Sequence, residues 1–264
     1  LFRSQQLFDL KGLKKLKDTG RMSIVHNGSS LFSGDAGSGS SEIRRYIIEN
    51  DWLEAIVQLS NDAFYNTGIT TYVWIMSKNK PAHREGKVQL IDASKMYEKR
   101  RKAIGNKKND ITEECRNIIV KAYGEFQNKE YKLNDKTCES KIFENVEFGY
   151  NKIVIESPLL DEDGVVVRQK NKPVIDTSRR DTENVPLTED VDSYFNREVS
   201  PYNLNAWIDK SKTKVGYEIP FTRYFYKYIE PEKSDDIATR ISDIETNLVE
   251  SLKSLFNKDS EPNE

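Results

Sequence analysis

The apolar positions at the start of the chain follow two different periods, which predict helices and strands in alternation. The leucines from Leu7 to Leu16 recur at every third position, as on one face of a helix. Short runs rich in branched residues predict strands instead. In chain order, we predict a helix that ends near Leu16, a strand from Gly20 to Gly28, a helix from Glu42 to Asn50, and strands over Leu53–Leu59, Thr70–Met76 and Gly86–Ser94.

The pair of strands over Leu53–Leu59 and Thr70–Met76 organises this part of the chain. The loop between them has about ten residues, which is short for a parallel crossover, so we expect an antiparallel pair. Its segment Asn61–Gly68 has typical turn residues but also carries Phe64 and Tyr65 side by side. A loop seldom buries two rings, so these aromatics call for a functional explanation.

The rest of the chain divides into two further blocks, and we expect domains over residues 1–95, 96–180 and 181–264. The basic segment Met96–Gly105 is predicted to be helical. Thr112 is a suitable N-cap for a helix that runs to Phe126, with acidic residues in its first turn. The segment Gln127–Lys141 is predicted to be a polar linker, and a strand follows over Tyr150–Ser157.

A hairpin turn signal precedes the last block, and the last block ends in a long helix. Asp161–Gly164 is the turn signal, and a helix is predicted around Asp190–Arg197. The aromatic run Phe221–Tyr228 is expected to pack in a core rather than to stack on bases. From Ser234 to Phe256 the spacing is close to a heptad seam, and a polar tail follows over residues 257–264. The apolar positions of the seam are Ile237, Ile241, Ile244, Leu248, Leu252 and Leu255.

Composition excludes several classes of protein. The 264 residues carry a net charge of −2, so any contact with nucleic acid must come from a local basic patch. Two cysteines are too few for a disulfide framework, and Cys115, on an apolar helix face, is interpreted as a reduced core thiol. No apolar run approaches the roughly 20 residues of a membrane span. We therefore expect a cytoplasmic protein that does not enter a membrane.

Two motifs that could carry chemistry do not meet their templates. The glycine-rich loop from Gly34 to Ser41 lacks the lysine of a Walker A loop and the third glycine of a dinucleotide fingerprint. We interpret it as a flexible loop in which Ser40 or Ser41 caps the next helix. The histidines, His26 and His83, have no partners at metal-ligand spacing, so we predict no zinc site and no hydrolytic triad.

Several phrases taken together resemble one family. They are Gly20-Arg-Met-Ser-Ile-Val25, Ala63-Phe-Tyr-Asn-Thr-Gly-Ile69, Asn184-Val-Pro-Leu187 and Lys214-Val-Gly-Tyr-Glu-Ile-Pro220. This order is similar to that of the modification (M) subunit of type I restriction–modification systems. The resemblance implies an α/β fold, namely the C-terminal part of a Rossmann-like methyltransferase sheet followed by an α+β extension and a C-terminal helix. It implies adenine-N6 methylation of DNA with S-adenosylmethionine, and complexes with a specificity subunit, a restriction subunit and a second M subunit.

The resemblance also suggests roles for individual residues. Phe64, with Tyr65 second, matches the aromatic that stacks on the extruded target base, while Asn66, Thr67 and Gly68 would shape the loop, with Gly68 at a positive φ. The alternative is that both rings only pin the loop. A long amphipathic helix at a chain end usually docks on its own domain, and the resemblance makes the apolar seam of the last helix also a candidate for packing on helices of the specificity subunit. Phosphate contacts are expected from basic residues, with a solvated charged face as the alternative: Arg44, Arg45, Arg100, Arg101, Lys107 and Lys108.

Motifs that the resembled family carries before the strand at Arg21 have no counterpart here. The sequence contains no Pro-Pro, hence no Asn-Pro-Pro-Tyr or Asn-Pro-Pro-Phe, and no donor-binding glycine motif, and it begins at Leu1. We expect a C-terminal fragment that neither binds S-adenosylmethionine nor transfers methyl groups by itself. The alternatives are a stand-alone, non-catalytic protein that docks a DNA-binding partner and, less favoured, part of a fused restriction–methylation enzyme.

Overall fold

The computed structural model describes residues 2–228 and 230–258. Its helices are α1 (Phe2–Lys15), α2 (Ser29–Phe32), α3 (Gly39–Glu49), α4 (Glu113–Glu125), α5 (Val191–Glu198), α6 (Phe221–Phe225) and α7 (Ser234–Lys258). Its strands are β1 (Arg21–Asn27), β2 (Leu53–Gln58), β3 (Thr71–Ser77), β4 (Lys87–Asp92), β5 (Glu98–Ile104), β6 (Lys107–Asp110), β7 (Lys129–Leu133), β8 (Lys136–Glu144), β9 (Gly149–Glu156), β10 (Arg168–Gln169), β11 (Lys172–Pro173), β12 (Asp181–Pro186), β13 (Trp207–Ile208) and β14 (Lys214–Tyr217).

A six-stranded mixed sheet with strand order β1-β3-β2-β4-β8-β7 forms the main body. The pair β2 and β4 is parallel, and the other neighbours run antiparallel. The predicted antiparallel pairing of β2 with β3 is confirmed, with Ile56 opposite Trp74. The fold is therefore mixed α/β, as expected.

The apolar runs form strands because both faces of the sheet are covered. Leu53, Ala55 and Ile56 in β2 have no exposed surface. On one face, helix α4 packs through Cys115 and Ala122 against Val57 and neighbouring residues. The predicted cap of this helix is confirmed, since the backbone N–H of Cys115 donates to Thr112 Oγ1 at 3.3 Å. Cys115 is a free, buried thiol, in agreement with the expectation.

Two predictions of local structure are wrong. The basic segment Met96–Gly105 is not helical, because β5 forms a hairpin with β6 and Gly105 turns the chain at φ +58°. The segment Gln127–Lys141 is not a linker, because β7 and β8 form a hairpin that turns at Asn134 and extends the main sheet. The sheet consequently continues past residue 95, where the first domain was expected to end.

A second sheet is built around β9, which pairs with β12, β13 and β14. Ile153, Ile155 and Val185 form its buried core, and α5 packs against them. The helix predicted around Asp190–Arg197 is present as α5, and Asp190 caps it, since the Ser193 N–H donates to Asp190 Oδ2 at 2.9 Å. The turn predicted at residues 161–164 is also present, since Gly164 N–H donates to Asp161 O.

The chain separates into two compact units, residues 1–224 and 225–264. The second unit contains α7, and its apolar seam is exposed at every predicted position from Ile237 to Leu255. This helix continues to Lys258, and residues 259–264 of the predicted polar tail lie outside the described residues. No helix in the described ranges is long and apolar enough to cross a membrane.

The aromatic run before α7 divides between buried and exposed positions. Phe221 is buried and packs edge-on against Tyr72. Tyr224 packs against Phe143, with ring centroids 4.1 Å apart. Core packing is therefore confirmed for these two rings. It is wrong for Tyr226 and Tyr228, which are largely exposed.

Candidate nucleic-acid interface at the carboxyl edge of the sheet

The carboxyl ends of three strands lie in one row of the main sheet. Asn27 of β1 is opposite Thr71 of β3, and the next residue of β3, Tyr72, is opposite Gln58 of β2. Gln58 is in turn paired with Asp92 of β4. Ligands of α/β sheets bind at the carboxyl ends of strands. The segments that follow β1, β2 and β4 are therefore the places to look for a site.

The aromatic loop, defined here as residues 59–70 between β2 and β3, presents both predicted rings at this edge. Phe64 is 36% exposed and Tyr65 is 56% exposed. An antiparallel bridge between Phe64 and Thr67 closes the tip of the loop. Each ring is therefore at least a third exposed at this edge of the sheet.

The shape of the aromatic loop depends on residues other than those predicted. The left-handed conformation expected at Gly68 is instead adopted by Asp62, at φ +53°. Gly68 has a different role, because a Cβ there would lie only 3.0 Å from Asp62 Oδ1. Thr67 Oγ1 accepts a weak bond from the Ile69 N–H at 3.4 Å, and Asn66 is exposed.

The β5–β6 hairpin, called the basic hairpin below, lies directly against the aromatic loop. A surface cleft of about 570 Å³ lies beside the start of the loop, with Asp62, Tyr97 and Lys108 among its lining residues. Backbone N–H groups of the hairpin donate to carbonyls of the loop: Asn106 to Tyr65 at 2.9 Å, Lys108 to Asp62 at 3.0 Å and Asn109 to Asp62 at 3.1 Å. Tertiary structure thus combines the predicted rings and four of the predicted cations in one site.

The charges of the basic hairpin are only partly neutralised. Arg100 and Lys107 both pair with Asp110, and hydrogen bonding to Lys107 is the main reason why the pKa of Asp110 lies below its ordinary value. Arg101 and Lys108 are exposed and form no ion pair with any residue in the described ranges. The Lys107 ammonium lies over the Tyr65 ring, 5.1 Å from its centroid.

Two further cations of the hairpin, Lys99 and Lys102, were not selected from the sequence as phosphate contacts. Both are exposed, and neither has an ion-pair partner within the described part of the chain. Both lysines lie on β5, which the sequence predicted to be helical, so their place on the basic hairpin was not foreseen.

Arg44 does not belong to this site, contrary to the prediction. Its side chain is buried, Nε donates to Tyr217 O at 2.7 Å, and Nη1 donates to Ser30 O at 3.2 Å. Burial lowers its pKa to about 10. Arg45 is at the surface but pairs with Glu49 at 2.9 Å on its own helix. Neither arginine lies on the basic hairpin, and Arg44 cannot reach a phosphate from its buried position.

Side chains of the protein fill the space beside two glycines of the glycine-rich loop. Space next to Gly34 is filled by Ser38, and space next to Gly37 by the aliphatic part of Lys214. The predicted cap by Ser40 or Ser41 is wrong, because Ser38 is the N-cap residue and makes no side-chain cap bond. Ser41 Oγ instead accepts the Tyr217 N–H at 2.9 Å.

The two histidines are in structural settings. His26 Nε2 lies 2.9 Å from Asp9 Oδ1, and both side chains are almost fully buried. His83 packs edge-on against Phe126. Within residues 2–228 and 230–258, no three His, Cys, Asp or Glu side chains cluster as a metal site requires.

Comparison with known proteins identifies the class to which these features belong. The family model described as N-6 DNA methylase matches residues 3–155, which is more than half of the chain. The chain therefore belongs to the N-6 DNA methylase family. The matched region contains the carboxyl edge, the aromatic loop and the basic hairpin.

The individual relatives are methylase subunits of type I restriction enzymes, which confirms the resemblance noted in the sequence. The MjaVIII methylase subunit of Methanocaldococcus jannaschii is 31% identical over 145 residues, 54% of this chain and 23% of that subunit. The MjaIX methylase subunit of the same organism is 37% identical over 95 residues, 36% of this chain and 16% of that subunit. The chain thus spans less than a quarter of the length of these relatives.

Two solved structures are also similar to parts of the chain. A type I restriction–modification methyltransferase subunit from Streptococcus thermophilus is similar over 55% of this chain and 27% of its own, with 27% identity and a TM-score of 0.46. The M protein of the EcoKI type I restriction enzyme is similar over 98% of this chain and 44% of its own, with 15% identity and a TM-score of 0.39.

Proposed function

We propose that this chain supplies the target-base side of a type I DNA adenine-N6 methyltransferase. The observation that carries the proposal is the joining of two exposed rings to a cationic hairpin by backbone hydrogen bonds. A methyltransferase that acts on a base amino group must hold that base outside the duplex. An aromatic face stabilises such a base by about 1–3 kcal/mol, and nearby cations bind the adjacent phosphates.

Phe64 is the ring that we assign to the base. Tyr65 is already engaged, because its carbonyl accepts the Asn106 N–H and its ring faces the Lys107 ammonium. Phe64 has no cation over its face among the described residues. Of the hairpin cations, Lys99, Arg101, Lys102 and Lys108 are the best phosphate contacts because they lack a counter-ion in the described ranges.

The remaining parts of the reaction are assigned to segments other than these residues. We propose that the main sheet is the C-terminal part of a Rossmann-like sheet, whose other part binds S-adenosylmethionine and carries the catalytic Asn-Pro-Pro motif. This chain alone should therefore give no methyl transfer to DNA. Transfer of a labelled methyl group by the isolated chain would contradict that assignment.

The first test measures binding of this chain to a single-stranded oligonucleotide that contains one 2-aminopurine. A single strand offers an unpaired base without the cost of extrusion. Anisotropy of an end label reports affinity, and 2-aminopurine fluorescence reports stacking. Phe64→Ala should remove the fluorescence change and weaken binding by about 1–3 kcal/mol. Tyr202→Ala is the control, since Tyr202 is 88% exposed and lies outside the site.

A salt series tests the phosphate contacts separately from stacking. Lys102→Gln and Lys108→Gln should each lower the slope of log affinity against log salt by about 0.7, the value for one contact with a single strand. Arg45→Gln should leave the slope unchanged, because Arg45 is paired with Glu49 away from the hairpin. If all three variants have the same salt slope as the native chain, the basic hairpin does not provide the phosphate contacts.

We further propose that α7 docks on helices of the specificity subunit, in a complex that also holds a second M subunit and the restriction subunit. The helix spans 25 residues, or about 37 Å, and its apolar seam is exposed along its length. Ile241→Glu should abolish co-purification with the specificity subunit, whereas Thr246→Glu, off the seam, should not. Unchanged co-purification of both variants would refute helix docking.

A stand-alone docking protein is the second candidate, and the same exposed seam favours it. The two candidates differ in the aromatic loop, which a docking protein does not need. Suppose that the chain binds the specificity subunit, but that Phe64→Ala and the lysine variants bind DNA as the native chain does. The chain is then a docking protein and does not hold the target base.

A further inference from the structure

The basic hairpin has almost no core of its own. Six of the seven residues of β5 are exposed, and its pairing with β6 is interrupted between Lys99 and Ile104. An isolated two-stranded hairpin is only marginally stable in water. The hairpin must therefore owe part of its order to contacts beyond its own strands, and the aromatic loop provides them.

Asn109 anchors one side of the contact between the basic hairpin and the aromatic loop, which is called the joint below. Its N–H donates to the Asp62 carbonyl, which also accepts the Lys108 N–H, and its side-chain Nδ2 donates to Asn61 O at 2.9 Å. Asn109 is buried, although its neighbours on β6 are at least partly exposed. The left-handed turn at Asp62 gives the loop the shape in which one carbonyl accepts both N–H groups. Asn109 thus holds the start of the aromatic loop through both backbone and side chain.

Gly105 determines how closely the tip of the hairpin approaches the rings. A Cβ at this position would lie 2.7 Å from Tyr65 O, closer than carbon and oxygen atoms can approach. Its φ of +58° also disfavours any other residue. The next residue, Asn106, donates its N–H to the same Tyr65 carbonyl. A side chain at position 105 must therefore displace either the hairpin tip or the backbone that carries the rings.

We propose that Gly105 and Asn109 are positioning residues that hold the Phe64 ring at a fixed place relative to the cations of the basic hairpin. Phosphate binding by the hairpin then determines where along a bound strand a base can stack. Neither residue needs to contact DNA, since both act through the backbone of residues 61–65. The coupling of stacking to phosphate binding rests on the proposed function, whereas the joint itself can be tested without DNA.

The first experiment measures amide hydrogen exchange in the free chain. Gly105→Ala should speed exchange at Asn106, Lys108 and Asn109 by about tenfold, because their hydrogen bonds to the loop are strained or broken. Gly164→Ala is a matched control, since Gly164 also has a positive φ (+77°) in a turn but no atom within 4 Å of its Cβ position. Unchanged exchange at all three amides in Gly105→Ala would overturn the proposal.

The second experiment uses the 2-aminopurine oligonucleotide and separates positioning from folding. Gly105→Ala should weaken binding no more than Phe64→Ala does, since every cation remains, and should lose most of the fluorescence change. Asn109→Asp, which has the same shape but no side-chain N–H, should lose it in the same way. A loss of affinity in both variants far beyond that of Phe64→Ala would overturn positioning, because it would mean that the hairpin has lost its structure.

Failure of the proposed function gives a different pattern. If the native chain binds the oligonucleotide with no change in 2-aminopurine fluorescence, stacking on Phe64 is refuted. The hydrogen-exchange data then test only whether Gly105 maintains the joint between hairpin and loop. Faster exchange in Gly105→Ala supports this role, and unchanged exchange overturns it. If the native chain and Gly105→Ala show the same fluorescence change, the proposed function stands and positioning by Gly105 is overturned.

Discussion

Arg44→Ala should destabilise the chain by about 2–5 kcal/mol and leave its affinity for DNA unchanged. Two hydrogen bonds from the guanidinium hold backbone carbonyls of Tyr217 and Ser30. Bonds of this kind, in which one partner is charged, contribute about 1.5–3 kcal/mol each. Burial of the three methylene groups of the side chain adds about 2 kcal/mol.

Desolvation of the Arg44 cation opposes these gains. Burial lowers the pKa of Arg44 to about 10 from an ordinary value above 12, which corresponds to a cost of about 3 kcal/mol. The folded chain therefore binds this proton more weakly than the unfolded chain, and stability from this group rises only as pH increases above about 10. At pH 7 Arg44 is charged in both the folded and the unfolded chain. The unfolding free energy lost in Arg44→Ala is therefore the hydrogen-bond and methylene contributions minus this desolvation cost.

The assay is urea unfolding at pH 7, followed by tryptophan fluorescence. Arg45→Ala is the control, because Arg45 forms an exposed pair with Glu49 and should change the free energy of unfolding by less than about 0.5 kcal/mol. A loss below about 1 kcal/mol in Arg44→Ala would refute the energetic reasoning. A lower salt slope of DNA binding in Arg44→Ala would refute its exclusion from the interface.

Other buried polar groups give predictions that can be checked with the same methods. Glu54 is fully buried and accepts hydrogen bonds from the half-exposed Arg21, whose Nε is 2.8 Å away, and from the Tyr123 hydroxyl at 2.6 Å. Glu54→Ala should therefore lower the free energy of unfolding by about 1–3 kcal/mol, and a loss below about 0.5 kcal/mol would contradict this account. Burial raises the pKa of Glu156, but hydrogen bonds from Arg180 and from a neighbouring lysine outweigh it and leave the pKa below its ordinary value. The contribution of Glu156 to the free energy of unfolding should be complete above about pH 4.5 and disappear as pH falls through its lower pKa in the folded chain. Arg180→Ala should therefore make the free energy of unfolding depend less steeply on pH in the acid range. Burial raises the pKa of the Cys138 thiol to about 12, so this thiol should react with a disulfide reagent only after unfolding, and rapid reaction of the native chain would contradict its placement.

The local pattern of the sequence was sufficient to predict two kinds of element: those whose hydrogen-bond partners are near in sequence, and those whose faces are uniformly apolar. The runs of β2 and β3 are buried on both faces, so their composition predicts strands regardless of what covers them. Helix α4 begins where Thr112 can accept the Cys115 N–H, a bond within one turn of helix. The apolar seam of α7 follows directly from the spacing of its apolar residues, whereas its exposure is visible only in the tertiary structure. The two aromatic residues at the loop tip were also identifiable, because few structural reasons place rings there.

Only the tertiary structure decided where the cations lie. The segment Met96–Gly105 has a polar middle, so its few apolar residues cannot distinguish helix from strand. The hairpin depends on pairing with β6 and on the loop around Asp62, more than thirty residues earlier in the sequence. Arg44 and Arg45 are adjacent in sequence, yet one is buried because the carbonyl of Tyr217, distant in sequence, lies against helix α3. Local sequence thus determined the periodic elements and the exposed rings. Long-range backbone hydrogen bonds, which leave no periodic signal in the sequence, determined which charges meet those rings.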